Sequence, residues 1–305
     1  MVDGSKLVLA AQMAAGGQQY PAATLYVVAT PIGNLADLSL RALHVLATVD
    51  AIACEDTRHS AALLRHFGLD KPLLAVHEHN ERAASETVLA RLRSGERVAY
   101  VSDAGTPAVS DPGAELVAAV TAAGHRVVPI PGPSSALAAL AAAGDRHADG
   151  FVFSGFLPAK GTERSRRIDA AARGPATQVL FEAPHRIESL ANALGEACPD
   201  RVATICRELT KQFETIASMP CSAMAGWLAA DANRVRGEFV VVLHALPAVA
   251  AESTSDQHDA TLVPLLAALP LKQAVALAAE ICGAPRNALY ARALELRGAA
   301  AGSED

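Results

Sequence analysis

The stretch TLYVVATPIGNLADLSLRALHVLATVDAIAC, Thr24 to Cys54, decides the fold class by the order of its parts. LYVVA (Leu25 to Ala29) and DAIAC (Asp50 to Cys54) are short apolar runs that read as strands buried on both faces. TPIGN, rich in turn formers, and an amphipathic segment separate them. The pattern recurs in RVAYV (Arg97 to Val101) and RVVPI (Arg126 to Ile130). Helix ends are legible between these runs. Asn80 stands as the cap of a segment running to Arg93, with Gly95 beyond it, and Asp111-Pro112 reads as a start with Gly124 as its stop. Strands alternating with helices predict a parallel α/β sheet whose ligands gather at the carboxyl ends of its strands.

Outward from this core, residues 1–23 are expected to form a flexible leader. Lys6 and the apolar run Leu7 to Ala11 faintly resemble a signal peptide, a reading weakened by Asp3 and Gln12. The first α/β domain is placed at 24–146. A second, at 147–246, shows strands at Phe151 to Ser154, Gln178 to Phe181, Val202 to Cys206, Phe213 to Ala217 and Glu238 to Ala245. Only two helices intervene, Thr162 to Ala172 and Pro184 to Ala197, so a mixed sheet is expected. Residues 247–259 read as a polar linker. Residues 260–305 read as a helical hairpin broken at Gly283-Ala284-Pro285, with a core of Leu271, Val275, Leu289 and Leu294 and a frayed tail.

Of the 305 residues, 51% are hydrophobic but only 4% aromatic, so the core is packed from small aliphatic side chains. The net charge of −6 argues against indiscriminate coating of nucleic acid, DNA included. Its distribution is uneven. Residues 1–150 hold 11 basic and 15 acidic side chains, while residues 151–214 hold 9 and 8. Within Lys160 to Arg173 five basic residues face two acidic ones. Five cysteines (Cys54, Cys198, Cys206, Cys221 and Cys282) form no CxxC pair, which fits a reducing cytoplasm without a disulfide frame or structural zinc. No apolar run reaches the length of a membrane span.

Three loops follow strands of the first domain: TPIGN (Thr30 to Asn34), SDAGTPAVSDPG (Ser102 to Gly113) and PGPSS (Pro131 to Ser135). They offer backbone groups and hydroxyls but no lysine or arginine, and neither GxGxxG nor GxxxxGK[ST] occurs. A zwitterionic nucleoside suits that chemistry better than a triphosphate.

YVVATPIGN, SDAGTPAVSDPG, PIPGPSSALAAL, FSGFLPAKGTER, LFEAPHR and RELTKQFET, in this order, resemble the motifs of the tetrapyrrole methylases, and specifically of their ribosomal-RNA branch. The likeness spans Thr24 to Leu246, and LPLKQAVALAAEICGAPRNALYARALEL resembles that branch's terminal helical domain. SDAGTP in place of Gly-Asp-Pro sets the chain apart from the porphyrin methylases. The resemblance implies two α/β domains with S-adenosylmethionine between them, a homodimer, and 2′-O-methylation of a cytidine in the decoding region of small-subunit rRNA. Carried over by position, it implicates Pro31, Gly33, Asp103, Ala104, Gly105, Thr106, Ser134 and Ser135 in cofactor binding. Phe181 and Ala183 are expected near the adenine.

Methyl transfer from a sulfonium is an in-line displacement that needs no metal, but a base aids attack by a ribose hydroxyl. Glu55, Asp56, His77, Glu78, Glu182, His185 and Glu214 are the candidates, with Glu182 or Asp56 placed nearest the 2′-hydroxyl. Asp56 could equally cap a helix. Lys160, Arg164, Arg166, Arg167 and Arg186 are the expected phosphate contacts, although Arg186 could instead pair with Glu182.

Overall fold

The computed structural model describes residues 4–77, 80–247 and 258–301. Glu78, its neighbour His79 and most of the expected linker lie outside the described residues.

The first sheet comprises β1 (Thr24–Val28), β2 (Ala51–Cys54), β3 (Leu73–Ala75), β4 (Val98–Val101) and β5 (Arg126–Ile130). All pair in parallel, in the order β3-β2-β4-β1-β5. Every residue of β2 and β4 is buried, as strands covered on both faces require. The covering helices are α2 (Leu40–Thr48), α3 (Thr57–His66), α4 (Glu81–Arg93) and α5 (Ala114–Ala122). Helix α6 (Ser135–Ala143), which follows β5, packs its Ala136, Ala139 and Ala143 against Val179, Cys206, Val240 and Val242 of the second sheet. The chain leaves adjacent strands β1 and β4 toward opposite sides of the sheet. Their carboxyl ends therefore frame a crevice of the kind in which α/β sheets bind ligands.

The expectation of a flexible leader is corrected. Residues Gly4–Ala15 form a helix, α1, packed on α2, with Ala11 fully buried and Leu7 and Val8 against the same core. Leu7, Val8, Ala11 and Ala15 make an apolar stripe at helical spacing, too short to stand out as a run. Ala11→Asp puts an unpaired carboxylate into this contact. It should cost about 2 kcal/mol and strip amide protection from residues 4–15 in hydrogen exchange.

The second sheet comprises β6 (Phe151–Phe156), β7 (Thr177–Glu182), β8 (Val202–Arg207), β9 (Thr215–Pro220) and β10 (Phe239–Leu243), in the order β6-β7-β10-β8-β9. β6 and β7 are parallel and the other pairings antiparallel, so the sheet is mixed. α7 (Thr162–Arg173), α8 (Ile187–Ala197) and α9 (Cys221–Ala229) accompany it. α9 is missing from the sequence reading, because CSAMAGWLA has small residues and no strong end signals. β9 starts two residues after the expected Phe213, which lies instead in the turn that Lys211 and Glu214 close by a backbone hydrogen bond. Both sheets belong to one compact unit ending at Ala245, each with its own apolar core.

A separate unit begins at Leu246. Its described residues form three helices where a hairpin was expected: α10 (Asp259–Ala268), α11 (Leu271–Cys282) and α12 (Arg286–Ala301). Pro264 inside α10 obscured that helix in the sequence. Leu262, Val275, Ala278, Leu289 and Ala293 form its core. Leu294, expected among them, is half exposed, and Ala293 takes the buried place. Arg292 is held by Asp259 at 2.6 Å and by Glu295 at 3.0 Å.

Candidate active site

The three loops meet at the carboxyl ends of β1, β4 and β5. Thr30 and Gly105 exchange backbone hydrogen bonds of 2.9 and 3.0 Å, and the Thr30 hydroxyl donates to the Ser102 carbonyl at 3.2 Å. The Thr106 hydroxyl donates to the Pro133 carbonyl at 3.1 Å, which ties in the third loop. Gly105 has φ +78°, and a side chain there would stand 3.3 Å from Ile32 Cγ2. Both features favour glycine over any residue with a side chain.

Beside these loops lies a cavity of about 360 Å³. The first sheet's loops contribute Ile32, Ala104, Asp111 and Ser135 to its wall. The second sheet contributes Phe156, Phe181, Glu182, Ala183, Pro184, Cys206, Leu209, Glu238, Phe239 and Val240. An adjoining cavity of about 70 Å³ shares Ala104, Asp111, Ser135 and Phe181, and adds Gly105, Thr106, Val109, Ser134 and Ala136. Phe181 stands edge-on to Phe153 and Phe156, with ring centroids 5.1 and 5.5 Å away. Burial pushes the Cys206 thiol up to about 12, so it stays protonated and is no nucleophile.

Of the residues expected at the cofactor, Ala104, Gly105, Thr106, Ser134, Ser135, Phe181 and Ala183 line one or both cavities. Ser134 also caps α6 through the Leu137 amide. Pro31 and Gly33 flank the lining residue Ile32 but do not line the wall themselves. Gly33 packs against the loop 209–211, where a side chain would meet the Leu209 carbonyl at 3.1 Å. Asp103 is absent from the wall as well; its Oδ1 accepts the Asp56 amide at 3.1 Å. Asp111 is the acid of this loop that faces the cavity. The sequence reading spent it on the start of α5, but Glu81 performs that task, its Oε1 accepting the amides of Gly113 at 2.9 Å and Leu116 at 3.1 Å.

Both preferred bases are otherwise engaged. The Glu182 side chain is fully buried and accepts from Arg164 at 2.9 Å, from Arg186 Nε at 2.6 Å and from the Ala183 amide at 2.9 Å. Each of its oxygens is already bound to a guanidinium, so the carboxylate is held in place and has little freedom to turn toward a substrate. Asp56 caps α3 and accepts from the Arg58 amide at 2.8 Å and its guanidinium at 2.7 Å, which hold its carboxyl far below the usual carboxylate range and make it a weak base. Glu214 accepts the Thr210 amide at 2.6 Å, the Asn80 side chain receives the His77 amide, and His185 is exposed. Glu55 is half-buried, its carboxyl pushed up by burial and then by Asp103 and Asp111.

The same geometry removes two expected phosphate contacts. Arg164 is buried, binding Glu182 and the Pro158 carbonyl, and Arg186 is spent on Glu182. Lys160, Arg166 and Arg167 remain exposed, the two arginines sharing Glu163 at 2.6 and 3.3 Å. Exposed pairs of this kind are weak and exchange readily for a phosphate. Among the described residues no group of three His, Cys, Asp or Glu side chains is arranged to hold a metal ion.

The two sheets and the crevice are those of the tetrapyrrole methylases: residues 24–225 match the family described as Tetrapyrrole (Corrin/Porphyrin) Methylases. A cobalt precorrin-4 methyltransferase superposes with TM-score 0.55 at 18% identity, covering 72% of this chain and 94% of its own. Uroporphyrin-III C-methyl transferase from Thermus thermophilus, complexed with S-adenyl homocysteine, gives 0.51 at 19%, covering 72% and 96%. Residues 252–297 match the RsmI C-terminal HTH domain. Ribosomal RNA small subunit methyltransferase I of Pseudomonas aeruginosa is 50% identical over 91% of this chain and 99% of the relative. The Escherichia coli O157:H7 protein of that name is 48% identical over 90% and 96%. The chain belongs to the ribosomal RNA small subunit methyltransferase I family and is an S-adenosylmethionine-dependent methyltransferase.

The cavity fits that donor. Ile32, Phe181, Ala183, Leu209 and Val240 offer an apolar wall to an adenine, and the Ala104–Thr106 backbone with Ser135 offers hydrogen bonds. Among the described residues no lysine or arginine lines either cavity, so no cationic side chain in the wall repels a sulfonium or ammonium.

Proposed function

We propose that the chain methylates the ribose 2′-hydroxyl of a cytidine in the decoding region of small-subunit rRNA. The observation that carries this reading is the likeness, over nine-tenths of the chain, to relatives named for small-subunit ribosomal RNA, joined to a donor-shaped cleft. Bound S-adenosylmethionine supplies a methyl group already activated for displacement. The protein's part is positioning. The Thr30–Gly105 and Thr106–Pro133 bonds set the loops before the donor arrives, so little reorganisation accompanies the transfer. The test is labelled methyl transfer to small ribosomal subunits with the product nucleotide mapped. A ribose-methylated cytidine supports the reading; transfer only to a small molecule overturns it.

Lys160, Arg166 and Arg167, at and before the first turns of α7, are the phosphate contacts of this reading. Arg166→Glu with Arg167→Glu should weaken rRNA binding and flatten the logarithmic salt dependence by about one to two units, while S-adenosylmethionine binding is unchanged in calorimetry. A homodimer belongs to the same proposal. Phe213, 67% exposed, and Ile216 on the free edge strand β9 leave apolar surface that a second copy would cover. A cytoplasmic location belongs to the same proposal, following from a ribosomal substrate.

A further inference from the structure

We propose that Asp111 takes the proton from the target ribose hydroxyl during methyl transfer, an inference that rests on the ribose-methylation reading. Three carboxylates line the larger cavity: Asp111, Glu182 and Glu238. Glu182 is held by Arg164, Arg186 and the Ala183 amide. Glu238 is paired to Lys211 at 2.9 Å. Asp111 has no Lys, Arg or His ion-pair partner among the described residues, and its hydrogen-bonding neighbour is the Ser102 side chain. It is shared by both cavities, so it stands where the two spaces adjoin.

The backbone aims it there. Ser110 at φ +69° and Gly113 at φ +124° turn the chain sharply on either side, and the Tyr100 hydroxyl donates to the Pro112 carbonyl at 2.6 Å. A side chain at position 113 would collide with the Tyr100 ring, so the turn cannot be rebuilt without moving β4. Because Glu81 caps α5, Asp111 is free of the helix.

The charges around it favour a proton acceptor. Burial raises the affinity of the Asp111 carboxyl for a proton, the Ser102 side chain moderates this, and Asp103 raises it further. Glu55 from the end of β2 adds another like charge, and behind them Tyr100 is kept neutral by burial and Glu81. Across the cavity, Glu182 with Arg164 and Arg186 carries one net positive charge, and Lys211, shared by Glu208 and Glu238, leaves one net negative charge, so the two clusters offset each other. A carboxylate with raised proton affinity is the better base for a hydroxyl of very high pKa. As the ribose oxygen bonds to the methyl carbon, the carbon–sulfur bond breaks and its electron pair stays on sulfur. The hydroxyl proton passes to an Asp111 oxygen and leaves to solvent afterwards.

The experiment compares wild type, Asp111→Asn and Asp111→Glu in methyl transfer to small ribosomal subunits at saturating S-adenosylmethionine, from about pH 5 to 9. Calorimetric titration of the donor and thermal melts accompany it. Wild-type kcat should rise with pH through a pKa above the ordinary aspartate value. In Asp111→Asn, kcat should fall by about 10²- to 10⁴-fold and lose this limb, with donor affinity within about threefold, and Asp111→Glu should recover part of the rate. Wild-type kcat and pH profile in Asp111→Asn overturn the inference alone. Loss of donor binding with kcat preserved at saturation also overturns it, making Asp111 a donor-binding group. A wild-type protein that methylates no ribose overturns both the inference and the reading beneath it.

Discussion

Glu182→Ala should destabilise the folded unit by about 3–5 kcal/mol, as removal of one member of a buried ion cluster does. For a unit of this size that is a fall in Tm of about 6–20 °C. The carboxylate side chain is fully buried and its partners Arg164 and Arg186 are only 9% and 17% exposed, so the guanidiniums cannot recover their hydration by small movements. Glu182 also holds the Ala183 amide, and with it the cavity wall at Ala183 and Pro184. Donor affinity should therefore fall together with stability. Glu182→Gln keeps the shape and one acceptor oxygen, and should lie between wild type and alanine in both measurements. If Glu182 were instead the base, alanine would abolish turnover at unchanged Tm and donor affinity. Differential scanning fluorimetry and calorimetry on the same preparations separate the two.

Gly105→Val should lower S-adenosylmethionine affinity by at least about 100-fold, or roughly 2.7 kcal/mol. The φ of +78° is costly for a β-branched residue, at about 1–3 kcal/mol. The added carbons approach Ile32, which lines the larger cavity, and press on the strand-like pairing with Thr30. Gly124 serves as the control: its φ is also +78°, yet no atom lies within 4 Å of where a Cβ would stand. Gly124→Ala bears the backbone strain without the crowding, and should cost about 1 kcal/mol of stability and no donor affinity. Equal loss of affinity in both variants would show that strain alone, and not the closeness of the loops, governs the site.

How much of the site was legible differs from residue to residue. Gly105, Thr106, Ser135, Phe181 and Ala183 line the cavities and lie in motifs visible along the chain. Phe156 and Leu209 also lie in such motifs but were not singled out there, while Cys206, Glu238 and Val240 carried no such signal, because they belong to the second sheet and converge on the site only when it folds. Asp111 was visible but assigned to a helix cap, since Asp-Pro before a helical segment is an ordinary start signal. The capping group, Glu81, lies 32 residues away from the Gly113 amide it holds, and no local pattern announces it.

Charge shows the same division. The basic segment from Lys160 to Arg173 is apparent from composition, yet Arg164 points inward to Glu182 while Arg166 and Arg167 point out. Helical spacing separates faces, but which face meets the sheet is settled by what the sheet offers, here a buried carboxylate.

By itself the sequence determined the alternation of strand and helix, the glycine- and proline-rich loops after β1, β4 and β5, and the motifs that place the chain in its family. These are properties of neighbouring residues: hydrophobic period, turn chemistry and order along the chain. Only the tertiary structure decided the division of labour among the acids, with Asp56 and Glu182 bound to arginines, Glu81 at a helix start and Asp111 open to the cavity. A carboxylate's chemistry depends on the solvent and charges within a few ångströms of it, and here those come from residues far away in the chain.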